Sequence, residues 1–471
     1  MAKIIQQETF DGILKENIVE FSMSLDEARD ETIKQFEAQG INLANIIKDL
    51  DINEETGNTI LNEAIEKIKA HVESTKVLSE NELNEVLEAL INQLNKSVPH
   101  RVLASKSCTQ EFLLKIMEDE VAKNVTEHAK DSILHKSILC AHAITNKNPD
   151  IFNVKSLKTI NKILDTEKNE FIVCDILKWI QKACLLHELN RQLIVNEELL
   201  ITHLKPLLLG RKEVEIIRNV CTCFRFLILD DDIRVEFGKA HEHARLIAHE
   251  CLSDLTLLLT EFKDNPDVLA ELMLTIAALC VRNEFCQVVA EANGIVLIMD
   301  AMVTFPDSLK IIRESMKLLK ALGGNDTVKV DIIKMGAASI IESSFNRHKA
   351  DEVLAKNALA CITTLSLRSK DNSVALYEAG IAETILESMK IHAKSKVVQR
   401  NAAWAIRNMV SRCREQCEGW ITLGVEDILE VARNNHPSIE QDCRYAARDL
   451  GIQVKLKEEW KGTAEKVINN E

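Results

Sequence analysis

The chain has 471 residues, 46% of them apolar and only 4% aromatic, with 14 glycines, 6 prolines and a formal net charge of −15. That is enough apolar material for a large core, too few turn residues for an all-β protein, and too apolar for a chain disordered throughout. The charge sits at the front: residues 1–95 hold 8 Lys and Arg against 20 Asp and Glu, which disfavours nucleic acid or an anionic membrane as the partner of this region.

The opening MAKIIQQETFDGILKENI has neither an uninterrupted apolar run nor a small-residue cleavage pattern, so no secretory signal is expected. Ser24-Leu-Asp-Glu27 is a capping box that predicts a helix ending at Gly40. DINEETGNT, ending at Thr59, reads as a loop, and Ser79-Glu-Asn-Glu82 opens another capped helix. Residues 1–95 are thus read as an acidic helical N-terminal module.

From about residue 100 to 455 the chain repeats. Three early segments (132–164, 174–200 and 213–238) share a loose layout: a long apolar-striped helix, a polar break, then a shorter helix. Four later segments repeat it with a glycine after the shorter helix, at Gly294, Gly336, Gly380 and Gly424, spaced 42, 44 and 44 residues apart. A three-helix unit of this size cannot bury its apolar face alone, whereas stacked neighbours form one continuous core. Glycine there supplies a left-handed turn or lets neighbouring helices approach. The fold class is therefore all-α, a superhelical solenoid of repeats behind the N-terminal helical module. The long helices bearing Leu279, Leu322, Leu365 and Met409 are expected to lie side by side. IEQDCRYAARDLG closes the stack, and residues 456–471 form a C-terminal tail.

The best apolar run, LMLTIAALCV, has buried-helix length rather than membrane-span length. The thirteen cysteines fall mostly within helical patterns and read as reduced core thiols.

One repeat is longer than the rest. Cys251 to Gly294 spans 43 residues but Glu198 to Cys251 spans 53, and FGKAHEHARLIAHE lies in the excess. Such an insertion maps to a loop or a lengthened helix end, and an accessible, metal-free loop over 237–250 is expected. On a helix, His241 and His243 would point about 200° apart and could not share an ion. His249 adds no common zinc spacing. Asp230, Asp231 and Asp232 precede the histidines, but neither a nucleophile nor an oxyanion pocket accompanies them. Carboxylates there serve more simply at the positive end of a helix. No metal, cofactor or catalytic residue is expected.

KACLLHELNRQLIV, LDDDIRVEFGKAHEHA, LCVRNEFCQ, DLGIQVKLKEEW and the front end QQETFDGILKENIVEFSMSLDEARDETIKQFEAQGINLANI resemble the armadillo repeat family, in particular its armadillo repeat-containing protein 6 branch. The resemblance covers nearly the whole chain. It implies a right-handed armadillo-type superhelical solenoid serving as a protein-binding scaffold, with no enzyme activity. The chain is read as working in the cytoplasm or nucleus on a protein partner that the sequence does not identify. In family members that bind extended peptides, a Trp and an Asn one turn apart on the third helix line a groove. AAWAIRNM supplies Trp404 and Asn408. The matching pairs elsewhere are Ala360 and Thr364, Met316 and Lys320, and Leu274 and Ala278, so a nuclear-import-type adaptor is the second reading. Arg225 and Arg407, in CFRFL and AIRNM, either add positive charge to that groove or fan over a neighbouring helix. The resemblance also implies a histidine-alternating segment methylated on a pros nitrogen by a histidine methyltransferase. Here the match is His241-Glu-His243, with Lys239 in place of a further histidine and a bulky Glu242 between the two that remain.

Overall fold

The computed structural model describes residues 4–453 apart from Asn45, Glu54, Asn124, Thr126 and Glu127. The tail expected at 456–471 lies outside the described residues. Among these the chain is helical, with one isolated bridge between Ile52 and Thr59. It divides into two compact units, Met1–Ile247 and Ala248–Glu471. No single described helix is long and apolar enough to cross a membrane.

In the first unit, α1 (Gln7–Val19) and α2 (Leu25–Ala38) pair around Phe10, Leu14, Ala28 and Phe36. The Ser24 capping box forms: Ser24 Oγ accepts from the Glu27 amide, and the Ser24 amide donates to Glu27 Oε2 at 3.2 Å. Next come α3 (Ile60–Val72) and α4 (Glu80–Lys96), the latter opened by the Ser79 box. Leu83, Leu87, Leu90 and Leu94 make a helical stripe along α4, and all four are buried. Three helices follow, α5 (Val98–Lys106), α6 (Thr109–Ala122) and α7 (Ile133–Thr145). Since α4 lies along α7, helix packing runs on across residue 95.

After α8 (Val154–Thr166), α9 (Glu170–Cys184) joins the row of long helices. The buried Trp179 of α9 donates from Nε1 to Thr145 Oγ1 at 2.9 Å and meets Phe152 edge-on. A short α10 (Glu188–Asn196), a π-turn running into α11 (Lys205–Gly210), and the long α12 (Val214–Leu227) complete this row, with α12 against α9. Helix α13 covers Ala240–Glu261.

The second unit is regular. The long helices α14 (Pro266–Leu279), α17 (Leu309–Leu322), α20 (Glu352–Ser366), α23 (Lys396–Val410) and α26 (Glu440–Leu450) lie each against the next. Between them fall the pairs α15 (Asn283–Glu291) and α16 (Gly294–Thr304), α18 (Asp326–Lys334) and α19 (Ala337–Arg347), α21 (Lys370–Glu378) and α22 (Ile381–Ile391), and α24 (Cys417–Thr422) and α25 (Val425–Asn435). Leu279, Leu322, Leu365 and Met409 are fully buried at the seams, as the period requires.

The glycines divide two roles. Gly336, Gly380 and Gly424 take φ of +92°, +89° and +83° at the turn into the second helix of each repeat. In the repeat before them Asn293, at φ +60°, holds that left-handed position. Gly294 instead allows close approach: a Cβ there would lie 2.5 Å from Val289 Cγ1 and 2.7 Å from the Val289 carbonyl. The left-handed positions, Asn293 included, are thus 43, 44 and 44 residues apart.

All thirteen cysteines are free and ten are buried. Burial pushes the Cys223 and Cys361 thiols up to about 12, so both are neutral core groups.

Candidate functional site

The third-helix face of the second unit brings several of the expected residues together. Trp404 and Asn408 sit one turn apart on α23. Trp404 is 39% exposed; its Nε1–H donates to Asp442 Oδ1 at 2.8 Å, and the Arg400 guanidinium lies 5.0 Å from its ring centroid. The Asn408 amide donates to the Thr363 carbonyl of α20 at 2.9 Å. Arg407 donates from Nε to Asp449 Oδ2 at 3.3 Å, and its guanidinium lies 4.8 Å from the Tyr445 ring. Trp404, Arg407 and Asn408 thus each reach a neighbouring long helix. At the matching positions Met316 is buried, Ala360 and Thr364 are partly buried, and Lys320 is exposed. Arg225 lies on α12 in the first unit, where its Nη2 donates to Thr222 Oγ1 on its own helix at 3.0 Å.

The histidine segment departs from expectation. Residues 240–250 are not a loop: they form the first turns of α13. Helical geometry then separates the two histidines. His241 is exposed, whereas His243 is buried and its Nδ1 lies 3.0 Å from the Leu227 carbonyl. That geometry requires an N–H on Nδ1, the pros nitrogen. The sequence reads as a loop because an insertion with charged residues lacks a clean period; what overrides this is the burial of Ala244, Ile247, Ala248 and Cys251 along one helix face.

The irregular residues lie just upstream, at 228–239. Asp232 Oδ2 accepts the Glu188 amide at 2.9 Å and Asp231 Oδ2 the Leu186 amide at 3.3 Å, so these carboxylates serve the positive end of α10. The bonded Arg234 guanidinium holds Asp232 well below the usual carboxylate range. No group of three or more His, Cys, Asp or Glu side chains able to hold a metal ion occurs among the described residues.

A third set of residues escapes a motif-by-motif reading. His348, His392 and His436 cap α19, α22 and α25. Each donates from Nε2 to a carbonyl of the preceding repeat: Pro306 at 2.7 Å, Lys349 at 2.8 Å and Ala393 at 2.8 Å. They lie 44 residues apart, each twelve after a repeat glycine. That shared spacing is the sequence signal for them.

The stacked long helices, with turn positions at a 43–44 residue period, form a repeat solenoid, and the sequence matches two family models. A model described as ARMC6 matches residues 61–469, and the armadillo repeat-containing protein 6 N-terminal domain matches residues 2–70. The chain belongs to the armadillo repeat-containing protein 6 family. The armadillo repeat-containing protein 6 homolog of Drosophila melanogaster is 49% identical, over 99% of this chain and 100% of its own length. The Pongo abelii and human armadillo repeat-containing protein 6 sequences are 31% and 30% identical, each over 79% of this chain and 76% of theirs. In fold, the chain is similar to a crystal structure of an engineered protein, with a TM-score of 0.54 and 13% identity, over 82% of this chain and 99% of that one. As an armadillo repeat-containing protein 6 family member, the chain is a repeat scaffold for protein–protein interaction.

Proposed function

We propose that this scaffold engages a protein partner, in the cytoplasm or nucleus, through the third-helix face of its last repeats, with Trp404 as the aromatic anchor. The observation that carries this reading is the part-exposed indole, fixed by Asp442 and flanked by Arg400. A rigid aromatic beside a guanidinium is the composition of an interface hot spot. The nuclear-import alternative calls for Trp/Asn pairs in series with free Asn amides. Here the amide of Asn408 is engaged within the fold and no second pair accompanies it, so a single anchor is favoured over a peptide ladder. Replacing both Trp404 and Asn408 with alanine tests this. A partner recovered by quantitative affinity purification should bind about tenfold more weakly or worse, with the thermal melt little changed. Unaltered binding together with a loss of several kcal/mol would assign both residues to the wall of the stack.

A second reading concerns the methylation implied by the resemblance. Exposure favours His241 as the target, because the pros nitrogen of His243 is held by the Leu227 carbonyl. Peptide mass spectrometry on protein from its native cells should find a methyl group on His241 and none on His243; an unmodified segment removes the reading.

A further inference from the structure

The extra residues of the long repeat are pinned to the fold. Arg191 of α10 is buried, donating from Nε to Glu188 Oε2 at 2.9 Å and from Nη1 to Asp231 Oδ1 at 2.6 Å. Arg234 donates to Asp232 Oδ1 and Asp150 Oδ1, both at 2.9 Å, and to the Leu186 carbonyl at 2.9 Å. At the far end Glu188 Oε1 accepts the Lys239 amide at 2.6 Å. Charge-assisted bonds therefore fix the segment at 231–234 and again at 239.

What this frame holds up is apolar. Ile233 is 100% exposed and Phe237 81%. Leu186, whose backbone is bonded to Asp231 and Arg234, is 57% exposed at the same corner. A lone surface leucine needs no explanation. An isoleucine and a phenylalanine so exposed, four residues apart, add little burial to folding, and the other repeats do without them. The surroundings carry more acid than base: Asp150, Glu188, Asp230, Asp231, Asp232 and Glu236 lie in or beside the segment, against Arg191, Arg234, His187 and a Lys239 that is itself paired with Glu242.

We infer that residues 230–239 are a preformed docking knob whose Ile233 and Phe237 enter an apolar cleft, rimmed by Lys or Arg, on a partner protein. The high exposure of Ile233 and Phe237 makes the feature convex, so its complement is a cleft. The excess of carboxylates over guanidinium groups sets the sign of the rim. A second copy of the chain would bring the same excess of negative charge to the contact. The pinned backbone spares the cost of ordering a loop on binding.

The test uses the full chain in its native cells with photo-crosslinking benzoylphenylalanine at position 237, and at Leu257, 56% exposed, as the control. The protein joined at 237 alone is then purified and titrated against the unlabelled full chain. The combined Ile233→Ser and Phe237→Ser variant should bind it about tenfold more weakly or worse with an unchanged melt. Ile233→Leu with Phe237→Leu should retain binding, and added salt should slow association. The Trp404 and Asn408 double variant should bind this partner normally, so failure here and failure of the third-helix site are read separately. The inference is overturned if position 237 yields no cross-link, joins only a second copy, or joins a protein that binds the serine variant as tightly. Salt-independent association overturns the basic rim.

Discussion

The regular repeats of the second unit and the corner before α10 in the first solve one problem differently. Each must fix where a helix ends against its neighbour. In the second unit a histidine Nε2–H donates to a backbone carbonyl one repeat back, at His348, His392 and His436. Such a bond forms whether the ring is neutral or charged, and it recurs wherever the period recurs. At the corner, Arg191 and Arg234 gather Asp150, Glu188, Asp231 and Asp232 to hold residues that break the period. A repeated joint needs one modest contact per repeat, whereas an interruption needs a specific charged network. The network matters most to the fold when it is half-dismantled.

That contrast can be broken most strongly at Arg191. Arg191→Met leaves Glu188 buried without its cation, and chemical denaturation should show a loss of about 3–5 kcal/mol. A result under 1 kcal/mol would mean that water replaces the guanidinium. A middle-sized effect separates paired from unpaired histidines. His142 Nε2 in α7 has no hydrogen-bond partner among the described residues. Burial, then the Lys182 charge, pulls its pKa down from 6.5 to about 4. Between those values the unfolded chain takes up a proton that the folded chain refuses. Stability present above pH 6.5 is therefore lost as pH falls toward 4, by about 3 kcal/mol. His142→Met should flatten that part of the stability profile; an unchanged slope would assign it to another group.

A smaller effect is expected at a single histidine joint. His392→Ala should cost about 1 kcal/mol by removing the bond to the Lys349 carbonyl. The smallest belongs to the exposed member of the His-x-His pair. His241→Ala should shift unfolding by no more than about 0.5 kcal/mol, while His243→Ala, which loses the Leu227 contact, should resemble His392→Ala. Equal effects at 241 and 243 would refute the difference in burial.

Much of the fold is legible in the sequence because the repeat writes it several times. The apolar stripe of α4, the capping boxes at Ser24 and Ser79, and the seam residues Leu279, Leu322, Leu365 and Met409 follow from helical periodicity. Gly294 shows where such reading stops: its spacing matches the other glycines, but Asn293 makes the turn. Both types tolerate left-handed backbone, so spacing alone does not choose between them. The helical state of 240–250 depends on burial that only the neighbouring helices reveal. The insertion itself is visible as ten surplus residues between Glu198 and Cys251. The pairing of Asp150 with Arg234, 84 positions apart, leaves no local signal.

The histidine joints also act as a ruler for how the chain can change length. Removing residues 337–380 would place Ile381 directly after Gly336 and set the ring of His392 where that of His348 now meets the Pro306 carbonyl. Every joint on either side would find an equivalent partner. A cut of half that size would leave a helix cap facing the wrong carbonyl and a seam residue facing water. In this region gain or loss of sequence is therefore tolerated in whole repeats, and an exon or an engineered splice that respects the 44-residue step keeps the stack closed.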